Sequence, residues 1–158
     1  MTTEATPRLT YGGKPINMEQ VGPLRRSDNV VGDREELCRR MGEDGYLFLP
    51  GYLDRDEVRA ARAELCDRLE KAGVLDPDYP GIEGVIATGE KINPAVTSPF
   101  MPVLARDNPP LDSVIYDGAM MRFYELFLGG EVRHYDYTWF RAKKPGTNTA
   151  TTPHCDIV

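Results

Sequence analysis

The sequence predicts an α+β fold, with helices first and an antiparallel strand pair last. Two observations carry this: Asp-x-x-Glu capping patterns open apolar stretches of helical spacing at Asp33 and Asp54, and the apolar period changes to two after Val132. A third is the order of these segments, which suits helices packed outside a sheet.

Residues 1–32 are polar and rich in breakers (Gly12-Gly13, Pro15, Gly22-Pro23) and read as an irregular arm, with residues 33–158 forming the domain. Asp33 with Glu36 starts a short helix to about Gly42, and Leu37 and Met41 share its buried face. Gly45-Tyr-Leu-Phe-Leu-Pro-Gly51 is apolar, too short for a helix and bounded by breakers, so a strand. Asp54 with Glu57 opens a longer helix to about Ala72. Val58, Ala61, Leu65 and Leu69 align on one face, and Gly73 ends it.

Residues 76–110 hold seven of the 13 prolines. A stretch of this kind is either a lid or binding loop, or an irregular but fixed surface crossing. A third helix is expected from about Leu111 to Leu128, ended by Gly129-Gly130. Val132 to Lys143, aromatic and β-branched, reads as a strand. Pro145-Gly146 reads as a turn, and Thr149 to Val158 as the returning strand, with Pro153 suiting an edge or a strand start.

At 158 residues, 41% hydrophobic and 28% charged, the chain has the size and composition of one globular domain. A net charge of −6 argues against nucleic acid or an anionic membrane as the main partner. The basic cluster Arg141, Lys143 and Lys144 is too short to change that. No apolar run is long enough to span a bilayer, and the N-terminus lacks a secretory signal pattern. Cys38, Cys66 and Cys155 form no CxxC and read as reduced thiols, so a cytoplasmic location is expected.

The candidate chemistry lies in His154-Cys155-Asp156. On a strand the imidazole and the carboxylate, two positions apart, point to one side. That is two-thirds of the facial triad of two His and one carboxylate that holds non-haem Fe(II). Cys155 points away and reads as a packing residue. His134-Tyr135-Asp136 has the same spacing, so spacing alone does not choose between the triplets. A metal site using both pairs across the hairpin needs them on one sheet face, which the register does not guarantee.

Thr138-Trp-Phe-Arg-Ala-Lys-Lys-Pro-Gly146, a short polar turn, and Thr151-Thr-Pro-His-Cys-Asp156 together resemble the phytanoyl-CoA dioxygenase family of Fe(II)/2-oxoglutarate-dependent oxygenases. Asp44-Gly-Tyr-Leu-Phe-Leu-Pro-Gly-Tyr-Leu followed by Asp-Arg-Asp-Glu-Val is similar to an N-terminal signature of the same family. The resemblance implies a double-stranded β-helix (jelly-roll) core, of which this sequence supplies the first strands. It implies iron ligation by His154 and Asp156, with His134 and Asp136 not ligands. It also implies O2-dependent decarboxylation of 2-oxoglutarate coupled to hydroxylation of a small organic or lipid-like substrate. Asp156 favours hydroxylation over halogenation, because related halogenases lose this carboxylate.

On the preceding strand Tyr135, Tyr137, Trp139 and Arg141 share one face, and His134, Asp136, Thr138 and Phe140 the other. By resemblance Trp139 and Arg141 line the 2-oxoglutarate pocket and Tyr137 the substrate pocket. Sheet packing against the helices is the plainer reading for Tyr135 and Tyr137, and a solvated strand end for Arg141. The family's second His ligand and the Arg or Lys that grips 2-oxoglutarate fall beyond position 158. The expectation is therefore an N-terminal portion of a longer enzyme, inactive by itself. The alternative is a non-catalytic or degenerate member that uses its aromatic segment for interaction.

Overall fold

In the computed structural model of the protein, residues 10–11, 14–96 and 98–143 are described. Residues 10–11 and 14–25 belong to one compact unit, and 26–96 with 98–143 to another. In the first unit β1 (Thr10–Tyr11) and β2 (Lys14–Pro15) pair antiparallel, with Thr10 opposite Pro15 and Tyr11 opposite Lys14. A 3-10 turn, Met18–Gln20, follows, and the Asn17 side chain caps it by accepting the Glu19 N–H at 3.0 Å. The expected irregular arm thus contains a short hairpin.

The second unit is helical. α1 runs Arg34–Asp44, and Asp33 caps it by accepting the Glu36 N–H at 3.0 Å. Only half of the capping box forms. The Glu36 carboxylate turns instead to Arg39 and Arg40, each at 2.7 Å, while the Asp33 N–H donates to the Val30 carbonyl. Arg40 is buried and also donates to the Arg26 carbonyl at 2.8 Å and to Asn29 Oδ1 at 3.2 Å. One guanidinium so ties residues 26–29 to α1. Leu37 is fully buried, but Met41 is 41% exposed, against the expectation that the two share a buried face.

α2 spans Arg55–Lys71, and Asp54 caps it by accepting the Asp56 and Glu57 N–H groups at 2.8 and 3.0 Å. Ala61 and Leu69 face the core as their spacing requires, while Val58 at the N-terminal end is exposed. Gly73 follows the helix in the left-handed conformation (φ 69°), which favours glycine.

The expected third helix is two. α3 (Pro109–Ile115) starts earlier, capped by Asn108 and led by Pro109-Pro110, whose missing N–H groups cost nothing in a first turn. α4 (Gly118–Leu128) begins after a break at Tyr116-Asp117. Asp117 is extended there and its carboxylate takes the Gly118 N–H at 2.7 Å, offering the backbone an alternative to a continuous helix. α4 ends at Gly129 (φ 78°) as expected. α2 packs on α3, α3 on α4, and α4 on α1.

Both strands expected within the described residues are corrected. Residues 45–51 make one parallel bridge, Arg26 to Phe48, with the Ser27 N–H donating to the Phe48 carbonyl at 2.8 Å. Residues 132–143 make one antiparallel bridge, Arg141 to Phe100. The Met101 N–H donates to the Phe140 carbonyl at 2.9 Å and the Ala142 N–H to the Pro99 carbonyl at 2.8 Å. A lone strand needs neighbours to complete its ladder, and these segments meet one partner each over one or two residues. The mixed α+β character holds, with helices dominant. The only sheet among the described residues is the β1–β2 pair, so the double-stranded β-helix is not among them. The expected returning strand, 149–158, lies outside them.

The core centres on Leu69, Val74 and Leu75, against which Ile86, Met101, Leu104, Phe140 and Ala142 pack. The proline-rich stretch contributes three of these side chains and is pinned in several places. Leu75 bridges Ile86, and Lys91 clasps Asp76 at 2.9 Å. That ammonium and the Asp78 N–H hold the Asp76 carboxyl below the usual carboxylate range, and the carboxylates of Asp78 and Asp76 raise the Lys91 pKa. Arg68 on α2 donates to the carbonyls of Leu104, Arg106 and Asp107 at 2.6 to 3.2 Å. Of the two readings left open for this stretch, the described contacts favour a fixed crossing. Among the described residues no helix is long and apolar enough to cross a membrane.

Candidate functional site

The segment 134–142 divides its side chains by alternation even though it is not a regular strand. Phe140 and Ala142 enter the core around Leu69. Thr138 pairs its hydroxyl with that of Tyr116, at the end of α3. Tyr137, Trp139 and Arg141 turn the other way. Trp139 is 66% exposed and Tyr137 42%, and their rings meet edge to face with centroids 5.9 Å apart. The Arg141 guanidinium lies over the Trp139 ring at 4.9 Å. Trp139 and Tyr135 (90% exposed) therefore face largely to solvent, while Tyr137 also borders a cleft beside Asp112 and Tyr116. Side-chain alternation survives because one core residue, Phe140, fixes the rotation of the segment.

Phe100 joins this group without any local sign in the residues around it. The bridge to Arg141 brings its ring to 5.0 Å from Trp139 and to 5.8 Å from the Arg141 guanidinium. Residue 100 sits in the proline-rich stretch, far from 141 along the chain, so no period or motif links them.

The His134-x-Asp136 triplet borders a polar cleft of about 330 Å³, lined also by Asp107, Asp112, Tyr116 and Tyr137, so Tyr137 borders both the cleft and the aromatic group. The His134 ring stacks on Tyr116 with centroids 3.9 Å apart, and its Nδ1 is 3.9 Å from Asp136 Oδ1. His134 and Asp136 are exposed to solvent. Tyr116, which joins the His134 stack to Thr138, was also missed; it looked like one more turn of a continuous helix. A third feature is an apolar cleft of about 350 Å³ between α1, residues 47–53 and α4, lined by Met41, Leu49, Tyr52, Met120 and Phe123 among others. It explains the exposure of Met41.

His154, Asp156 and Cys155 lie outside the described residues. Among the described residues no group of three His, Cys, Asp or Glu is placed to hold a metal ion. Cys38 and Cys66 are free thiols, Cys38 exposed on α1 and Cys66 buried beside the Ile82 carbonyl. No family model and no solved structure matches the chain.

Proposed function

We propose that the chain is part of an Fe(II)/2-oxoglutarate-dependent dioxygenase that hydroxylates a small organic or lipid-like substrate, with His154 and Asp156 as iron ligands. The observation that carries the reading is the motif Thr151-Thr-Pro-His-Cys-Asp156 following Thr138 to Gly146, resembling the phytanoyl-CoA dioxygenase pattern in order and spacing. One imidazole and one carboxylate are donors that suit Fe(II), and a second His completes the usual set. His134 is the only other imidazole in the sequence, and the resemblance does not place it at the metal. The grouping of Tyr137, Trp139 and Arg141 on one side supports a pocket wall on this segment.

Iron, when bound, supplies the O2 chemistry that oxidises 2-oxoglutarate and substrate. The chain's own part is to bind and orient. Asp156 contributes negative charge that offsets the cation, His154 a neutral nitrogen donor, and the exposed rings a surface on which substrate rests.

The test uses the protein as its gene encodes it. With Mn(II) or Fe(II) present, 2-oxoglutarate at about 100 times its Kd stabilises the native state by about 2.7 kcal/mol. His154→Ala and Asp156→Ala abolish that shift and 2-oxoglutarate-dependent succinate formation. A melting curve indifferent to metal and 2-oxoglutarate, with no succinate formed, overturns the reading. That outcome supports the second reading, a non-catalytic domain using its aromatic segment for interaction, which the exposure of Tyr135 and Trp139 favours.

A further inference from the structure

We infer that Phe100, Trp139 and Arg141 form a stacking subsite for an aromatic ring carried by the substrate; this rests on the dioxygenase reading for its catalytic meaning. Single exposed aromatic residues are ordinary, whereas contiguous exposed apolar surface marks binding. Here Phe100 (36% exposed) and Tyr137 (42%) each meet the ring of Trp139 (66%), which joins the three into one patch.

The patch is preorganised. Phe100 flanks the indole at 5.0 Å, Tyr137 meets it edge to face at 5.9 Å, and the Arg141 guanidinium lies 4.9 Å from the ring centre. Each neighbour limits rotation of Trp139, so little side-chain entropy remains to be lost when a ligand lands on it. The backbone fixes the arrangement from both sides, through the Phe100–Arg141 bridge and its two flanking hydrogen bonds. Phe140, between Trp139 and Arg141 in sequence, is anchored in the core.

The chemistry selects the ligand class. Indole and phenyl faces carry negative quadrupole and their edges positive, so an incoming ring finds offset-stacked or edge-on partners. A saturated ring of equal size finds only area. The patch therefore discriminates planar aromatic from saturated cyclic groups by what one aromatic pair contributes, roughly 2- to 12-fold in affinity. Phe100 contributes to this preference from the proline-rich stretch, because its ring lies 5.0 Å from the indole.

Trp139 is the chain's single tryptophan, so its emission reports on the subsite directly. The probes are benzoate and cyclohexanecarboxylate, which share charge and approximate size and differ in the π system. Without metal, benzoate is expected to shift Trp139 emission saturably, with affinity exceeding that of cyclohexanecarboxylate by the factor above. Phe100→Leu is expected to remove the preference, and Phe100→Tyr to keep it. Phe100 is partly exposed, and an unchanged far-ultraviolet spectrum with an unchanged melting temperature shows that the variants fold.

Equal response to the two probes, no response to either, or a preference retained in Phe100→Leu overturns the subsite. So does a response that follows protein concentration rather than probe concentration, which marks self-association through the patch. The two proposals fail separately. Aromatic preference without 2-oxoglutarate-dependent succinate leaves the subsite and removes the dioxygenase. Succinate formation without aromatic preference does the reverse.

Discussion

The helical stretches 33–44 and 54–73 and the segment 132–143 carry equally regular sequence patterns, yet the structure forms the helices where their caps place them and transforms the segment. α1 and α2 begin directly after the aspartates that cap them, and each is followed by a left-handed glycine, Gly45 and Gly73. Caps act over three residues, so the information and the structure share one place. Residues 132–143 alternate like a strand, but among the described residues their backbone pairs only with residues 99–101. A helix completes its own hydrogen bonds; a strand borrows them from a partner. Period reports which side chains share a side, while regular strand geometry depends on which segment is adjacent.

The largest expected effect strikes the junction of the two regions. Leu69 sits on α2, and the cluster around it holds Phe140 and Ala142. Leu69→Ala leaves a cavity on both sides at once and is expected to destabilise by about 2–5 kcal/mol in chemical denaturation. Hydrogen exchange sharpens the point: amide protection of Met101 and Ala142, whose N–H groups hold the bridge, is expected to fall further than that of α1. Equal loss in both places would show that residues 132–143 are as self-sufficient as the helices.

Much of the helical half was thus legible, because its decisive residues act locally. Asp33, Asp54 and Gly129 each do what their positions announce. The break at Asp117-Gly118 was announced too, but the apolar run from Val114 to Phe127 outweighed it in a reading by period alone. Asp-Gly inside such a run is the signal that would have found it. For the site, alternation separated Trp139 and Arg141 from Phe140 correctly, without a strand to enforce it. Phe100 was illegible because it reaches Trp139 through a contact between distant segments. His154 and Asp156 rest on resemblance to a family pattern.

A smaller effect isolates the local half. Asp54 takes two backbone N–H groups of α2, and these bonds hold its carboxyl below the ordinary range. Asp54→Ala is expected to lower the melting temperature by a few degrees, and Asp54→Asn to restore most of it, since an amide oxygen caps almost as well. The Phe100–Trp139 geometry should not respond, so Trp139 emission in the native state stays unchanged. A change in that emission would couple the cap to the aromatic patch and weaken the contrast between the regions.

The smallest effect is a pH dependence confined to α1. Hydrogen bonds from Arg39, and then from Arg40, draw the Glu36 carboxyl down from its ordinary 4.5 to about 2. The unfolded chain therefore binds the proton more readily than the native one. Stability from this group is fully present above pH 4.5 and is lost as pH falls through about 2. Glu36→Gln removes the titration but keeps the size, so the variant should be less stable than the native sequence at about pH 5 and approach it at about pH 3. Denaturant midpoints at the two pH values measure the gap. Because Arg40 also grips the carbonyl of Arg26 and the side chain of Asn29, the gap carries a second reading. If it narrows while exchange of the Ser27 amide rises, the pair holds residues 26–29 against α1. If that amide does not respond, Glu36 acts only within its helix.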